Sequence, residues 1–205
     1  AQQTNEHFID NPTWPTEWIL HTVLLFYYDY LYTGNTTLLK KHYNSLKHKT
    51  LINIASANGL ISTTANAIDS SVMKNVGFDI KYTGRKIEDI VDWPHAERDG
   101  YQMTSFNTVV NSFYYINLKL MAKIAKVLDN KYDAEMFTQK AIAVKDTINA
   151  LLFNQQTGLY IDGLGSKHSS LHANMFPLAF DIVPQQNKNS VVKFIKSRGM
   201  ACSVY

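Results

Sequence analysis

Ile87-Glu-Asp-Ile-Val-Asp-Trp-Pro-His-Ala-Glu-Arg-Asp-Gly-Tyr101 is followed, after Gln102 and Met103, by Thr104-Ser-Phe-Asn-Thr-Val-Val-Asn-Ser-Phe-Tyr-Tyr115. The second half has the dense apolar pattern of a buried helix, extending through Ile116, Leu118, Met121, Ile124 and Val127 and predicting a helix from Thr104 to Leu128. The first half crowds Asp92, Trp93, His95, Glu97, Arg98, Asp99 and Tyr101 into one short segment. Pro94 fixes φ and Gly100 frees it, so this crowd reads as a loop. Carboxylates, an aromatic platform and a bidentate donor together can grip a polyhydroxylated ligand, and loops on a rigid scaffold are where binding groups gather. The plain alternative is a solvated charged turn capping the helix at Thr104.

The same pattern repeats outward from this stretch. Upstream, Thr16 is an expected N-cap, with Glu17 in the first turn. Trp18 to Tyr32 is apolar on most sides and reads as buried, and Gly34 is its stop. Thr36 to about Ala57 is two-faced, with Leu38, Leu39, Tyr43, Leu46 and Leu51 at helical spacing and Asn58-Gly59 closing it. Leu60 to Lys86 is a long irregular excursion with a short helix near Ser70–Asn75, and excursions of that length are more often functional than idle. Downstream, Asn130 is a stop and Asp133–Phe153 is amphipathic. Asn154–Gly165 carries turn signals for a small hairpin around Tyr160 and Asp162. Leu171–Phe180 is a third apolar helix, broken by Val183-Pro184, and Asn189–Ser197 is a last amphipathic one ending at Gly199.

Three such pairs of inner and outer helices predict an all-α fold: helical hairpins of an (α/α)6 toroid, about half the ring, with one small β-hairpin. The loops at one end of the inner helices then hold Trp14, Glu17, Trp18, the Asp92–Tyr101 cluster and Lys167-His-Ser-Ser-Leu-His172.

Composition narrows the chemistry. The chain has 205 residues with 45% hydrophobic and 18% charged content, which places it among ordinary globular chains. A net charge of +3 without an Arg-rich run gives no nucleic-acid patch. Lys40, Lys41, Lys47 and Lys49 read as a solvated helix face. Cys202, the single cysteine, excludes an intrachain disulfide framework and any multi-cysteine metal site. No apolar run reaches the ~20 residues of a membrane span. No phosphate-cradling glycine loop is present. His168 and His172 are spaced to share a helix face, but no carboxylate lies between them in the zinc-protease manner, so no metal is expected. A serine nucleophile with a positioned base is not displayed either. Glu17, Asp92, Glu97 and Asp99 remain loop-borne carboxylates of the kind glycoside hydrolysis uses in pairs. Trp93 suits stacking on a sugar ring and equally suits a core plug beside Pro94.

Trp14-Pro-Thr-Glu-Trp18 with Tyr28-Asp-Tyr-Leu-Tyr-Thr-Gly34, Asp92-Trp-Pro with Arg98-Asp-Gly-Tyr101, Asn107-Thr-Val-Val-Asn111, and Ser170-Leu-His-Ala-Asn-Met-Phe-Pro-Leu-Ala-Phe180 with Arg198-Gly-Met-Ala-Cys-Ser-Val-Tyr205 resemble the bacterial α-L-rhamnosidases of glycoside hydrolase family 78. The resemblance covers almost the whole chain and rests on the order and spacing of these motifs together. It implies an (α/α)6 toroid that removes terminal α-L-rhamnose with inversion and needs no organic cofactor. It implies a rhamnose-containing glycan or glycoside as partner and, by family analogy, a periplasmic or extracellular parent protein.

In that family the acid lies in an Asp-Glu-Arg-x-Gly-Trp type segment before the matched part, and the Glu base lies beyond its end. Neither is found here, because Glu97-Arg98-Asp99-Gly100 has the wrong order and place. Residues 1–205 are therefore expected to be one fragment from the middle of the catalytic domain, inactive alone and prone to self-association through uncovered apolar helices. The apolar end Gly199–Tyr205 fits that expectation. Asp92 and Trp93 match the Asp-Trp element of the sugar subsite. Trp14 and Glu17 fall near another wall, Arg98 belongs to the same cluster, and His172 is a further candidate where the chain departs from the common pattern around Leu171–Met175. Two other readings stay open: a non-catalytic helical-repeat module binding protein partners on a concave face, and a toroid hydrolase for another sugar.

Overall fold

A computed structural model describes residues 13–65, 68–78 and 86–202. In chain order the elements are β1 (Thr13–Pro15), α1 (Thr16–Thr33), α2 (Thr37–Lys49), α3 (Ser70–Asn75), β2 (Lys86–Glu88), α4 (Thr108–Val127), α5 (Lys131–Leu151), β3 (Phe153–Asn154), β4 (Leu159–Tyr160), α6 (Leu171–Ala179) and α7 (Lys188–Arg198). Ser203–Tyr205 of the Arg198–Tyr205 motif lie outside the described residues, as does part of the Leu60–Lys86 excursion.

The three expected hairpins form. α1 lies against α4 and α4 against α6, while α2, α5 and α7 each fold back on the helix before them. The result is an all-α sector of a toroid with inner helices α1, α4 and α6. α4 is the axle of the sector. Val109, Val110, Tyr114, Leu118, Met121 and Ile124 are all within 1% of full burial; neighbours enclose the first two turns on every side, while Lys123, Lys126 and Val127 reach solvent near the other end. The outer α5 turns Phe137, Ala141, Val144 and Ile148 inward and leaves Tyr132 and Ile142 in solvent, the one-sided pattern of a covering helix.

Several boundaries move, each for a local reason. Thr16 is not the cap of α1; Pro15 holds that position and Thr16 is already helical. α1 is buried only in its first half, at Ile19, Leu20 and Val23, while Leu25, Tyr28, Leu31 and Tyr32 are exposed. α2 ends at Lys49 instead of Ala57: the Thr50 hydroxyl donates to Lys47 O at 2.6 Å and Leu51 turns left-handed at φ 60°. A short 3-10 turn, Ile52–Ile54, follows. The lysines of α2 are not one solvated face. Lys47 pairs with Asp133 of α5 at 2.9 Å, where Tyr43 also donates, and Lys49 is half-buried, its pKa lowered to about 8 by that burial.

α4 starts at Thr108 instead of Thr104, because Asn107 is the better cap: its side chain accepts the Val110 N–H at 2.8 Å. Asn130 likewise caps α5 by accepting from Asp133 N–H. The small hairpin pairs Phe153 with Tyr160 and Asn154 with Leu159, so Asp162 lies beyond it.

One pairing had no sequence signal. β1 and β2 run parallel, with Thr13, Trp14 and Pro15 opposite Lys86, Ile87 and Glu88. This pairing sets the lead-in to α1 beside the Asp92 loop.

The inner helices α4 and α6 share one starting device. Asn107 caps α4, and Asn111 on the next turn receives the Ile61 N–H at 2.9 Å and donates to Ile61 O and Asn107 O. Ser170 caps α6, and Asn174 receives the Tyr160 N–H at 2.9 Å and donates to Tyr160 O and Ser170 O. A buried amide therefore clips the preceding chain to the head of each helix, satisfying backbone groups that burial would otherwise leave unpaired.

Candidate functional site

The Asp92–Tyr101 segment is anchored at several points and is not a solvated turn. Asp92, Arg98, Asp99 and Tyr101 are buried, while Trp93, Pro94, His95, Ala96 and Glu97 are exposed. A cis peptide joins Trp93 to Pro94, and His95–Glu97 makes a single 3-10 turn. Beneath that exposed tip, Arg98 folds back. Its Nε donates to the Asp92 backbone oxygen at 2.6 Å, and its Nη1 lies 2.6 Å from His95 Nδ1. Asp99, left-handed at φ 51°, accepts the Leu171 N–H at 2.7 Å and pairs with Arg198 at the end of α7. Burial alone would raise the Asp99 pKa; Arg198 and the Leu171 N–H outweigh it and hold the carboxyl below its usual range.

Asp92 lies at the bottom of the loop, 5% exposed, with one carboxylate oxygen accepting the Trp93 N–H at 2.7 Å. The other lies 2.9 Å from Nε2 of His172, on the first turn of α6 and 1% exposed. An antiparallel bridge between Arg98 and Cys202 brings the chain beyond α7 alongside. One donor atom each from Asp92, His172 and Cys202 then lie within 4.8 Å of one another. The Cys202 thiol pKa is raised by burial, then by Asp92, Asp99 and Glu97.

Of the residues expected at the site, Asp92, Arg98 and His172 converge, and Trp93 stands at the rim, 56% exposed, with its ring edge toward His95. Trp14 is elsewhere: it packs edge-on against Trp18 and Phe78 in the core. Glu17 faces the loop from behind. Its carboxylate accepts the N–H groups of Ile90 at 3.2 Å and Val91 at 2.8 Å, the latter residue left-handed at φ 62°. Burial, then the nearby Asp89, push its pKa up to about 7. Asp89 accepts from Thr63 and from Asn107, and its own pKa is raised by burial.

His168 and His172 do not share a helix face, because α6 begins only at Leu171. His168 instead pairs with the buried Asp162, whose carboxylate also receives the Gln102 and Ser170 N–H groups. The sequence reading gave no site role to Asp162, Asp89 or Cys202. Asp89 was legible in the opening stretch; Cys202 had only its uniqueness to mark it.

Inner helices standing side by side, each wrapped by the helix that follows it, define a sector of a six-hairpin glycosidase toroid. The family model described as the bacterial alpha-L-rhamnosidase 6 hairpin glycosidase domain matches residues 6–204, and the chain belongs to that family. Among solved structures, the chain is similar to a family 78 rhamnosidase of Bacillus sp. GL1, with a TM-score of 0.71 and 17% identity, covering 93% of this chain and 18% of that one. It is also similar to the α-L-rhamnosidase from Dictyoglomus thermophilum, with a TM-score of 0.59 and 16% identity, covering 90% of this chain and 18% of that one. No curated protein sequence matches it. Among the described residues no helix is long and apolar enough to cross a membrane.

Proposed function

We propose that this chain supplies part of the sugar-binding wall of an inverting α-L-rhamnosidase, a single piece of the catalytic domain, with Asp92, Trp93, Arg98 and His172 forming that wall. The buried Asp92–His172 pair, with the exposed Trp93 next to Asp92 in the chain, carries the reading. An oriented carboxylate and imidazole can bind vicinal hydroxyls while an indole covers the apolar face of the ring. Arg98 holds the loop backbone under Asp92, and Glu17 braces it from the other side. Trp14 supports the wall from the core without needing to touch the sugar.

Inversion needs an acid and a water-activating base ~6.5–9.5 Å apart. The family's acid segment is absent from this sequence, so the two carboxyl groups of the reaction are assigned to protein outside residues 1–205. The isolated chain should then be inactive, and the parent protein periplasmic or extracellular. The apolar side of α1 supports self-association of the isolated chain.

Asp92→Asn in the whole protein tests the reading. Hydrolysis of a nitrophenyl α-L-rhamnoside should fall at least tenfold in kcat/KM, and the isolated chain should show no turnover. Turnover by the isolated chain that is lost with Asp92→Asn would move the chemistry into residues 1–205. Faster cleavage of a glucosyl or uronyl substrate than of the rhamnoside would favour a different sugar on the same scaffold.

A further inference from the structure

We propose that Asp92, His172 and Cys202 form a binding site for a divalent transition cation of the zinc class. Their donor atoms are a carboxylate oxygen, an imidazole nitrogen and a sulfur, all within 4.8 Å of one another. That mixture suits zinc or cobalt and is a poor match for calcium or magnesium, which take oxygen ligands.

The site is built from three separate parts of the chain, each independently fixed. Asp92 is held by the Trp93 N–H, and its loop is held by Glu17 and Arg98. His172 is set by the Ser170 cap of α6, whose Leu171 N–H is tied to Asp99. Cys202 is set by its backbone bridge to Arg98, just beyond the Arg198–Asp99 pair. Donors on unconnected segments that are each pinned by other bonds do not need the cation to bring them together.

A second observation comes from the imidazole. His172 is 1% exposed, and its Nδ1 has no hydrogen-bond partner among the described residues. Nδ1 can therefore carry the ring proton when Nε2 takes the cation, so that the imidazole binds as a neutral ligand.

The spacing must adjust on both sides, the Asp92–His172 contact opening and a sulfur contact of up to 4.8 Å closing. Tetrahedral zinc bonds of ~2.0–2.3 Å place ligand atoms roughly 3.4–3.6 Å apart. The His172–Asp92 contact of 2.9 Å therefore opens by about half an ångström as the cation enters at Nε2, the ring proton moving to Nδ1. Binding releases the thiol proton to solvent and leaves a fourth position for water or a hydroxyl group. The cation would share Asp92 and His172 with the proposed sugar wall, a sugar hydroxyl then taking its fourth position, and the test below measures the cation and the sulfur with no sugar present.

The test is a titration of the chelator-treated full-length protein with Co2+, followed by absorption. One equivalent should give the visible bands of a tetrahedral site together with a near-ultraviolet thiolate-to-cobalt band. In Cys202→Ser that sulfur band should disappear and the affinity should fall at least tenfold. As a measurement free of substitutions, Zn2+ should slow alkylation at Cys202 by iodoacetamide at least tenfold, read on the Cys202 peptide by mass spectrometry. A saturating titration with no sulfur band, or an alkylation rate at Cys202 that Zn2+ leaves unchanged, would overturn the proposal.

Discussion

The carboxylate of Glu17, at the start of α1, accepts the N–H of Val91 at 2.8 Å. This contact joins two segments far apart in sequence and holds Val91 in a left-handed conformation just before Asp92. It also makes the loop pH-sensitive. Glu17 is raised from 4.5 to about 7 by burial and then by Asp89, with the loop N–H groups working in the opposite direction. The unfolded chain loses this proton near pH 4.5 while the folded chain keeps it to about 7. The stabilising contribution is therefore complete below pH 4.5 and is lost as pH rises through 7. Its size is a few kcal/mol at most, on the order of 1.4 kcal/mol per pKa unit. Thermal melts from pH 4 to 8 should show wild type close to Glu17→Gln at low pH and losing stability relative to it as pH rises through 7. A wild-type-minus-variant difference that stays constant, or moves in favour of wild type as pH rises, would rule out Glu17 as the source.

Arg198→Ala should loosen the joint between α7 and the Asp92 loop. Asp99 keeps the Leu171 N–H but loses its ion pair while remaining buried, and the expected cost is about 1–2 kcal/mol. The partial exposure of Arg198 keeps the figure at that lower level. Because the Asp99 pKa is held low in the folded state, its contribution is present at neutral pH and is lost as pH falls through its depressed value. Urea melts should show a smaller cost of Arg198→Ala at pH 3 than at pH 7.

Asn111→Ala and Asn174→Ala should each cost about 2–4 kcal/mol, measured by chemical denaturation, because each strands a buried backbone N–H and C=O of the preceding segment. Leucine at either position should be no better, since the cost lies in the unpaired backbone and not in lost volume.

Gly163→Ala should be among the more damaging single changes. Its added methyl group would overlap Thr104 Oγ1 and come within 2.6 Å of Phe106 O, beside the Asn107 bridge that seats the head of α4. A backbone oxygen has little room to retreat, so a loss of roughly 2 kcal/mol or more is expected in denaturant melts.

Trp93→Ala separates binding from folding. The ring is more than half exposed, so stability should stay within about 0.5 kcal/mol of wild type. KM for an aryl rhamnoside should rise at least fivefold in the whole protein. An unchanged KM would remove Trp93 from the proposed wall.

The hairpin plan was legible in the sequence because apolar spacing is a local signal. The rows around Val109–Ile124 and Phe137–Ile148 specify an enclosed rod and a one-sided rod whatever lies near them. Capping was legible only in part. Thr104 and Thr16 looked like suitable caps, yet Asn107 and Pro15 hold those places, since the neighbouring strand and the Gly163 contact decide where each helix begins. The exposed second half of α1 was misread as core because an apolar row does not say which of its sides a neighbour covers.

The sequence by itself determined that these residues make paired helices, and its motifs marked the Asp92 loop as the place to look. Only the tertiary structure decided what that loop is made of. It buried Asp92 against His172, turned Glu17 onto the backbone behind, sent Trp14 into the core and brought Cys202 alongside. These relations join residues from opposite ends of the chain. The parallel β1–β2 pairing and the order of the inner helices create them, and neither leaves a periodic trace in the residues themselves.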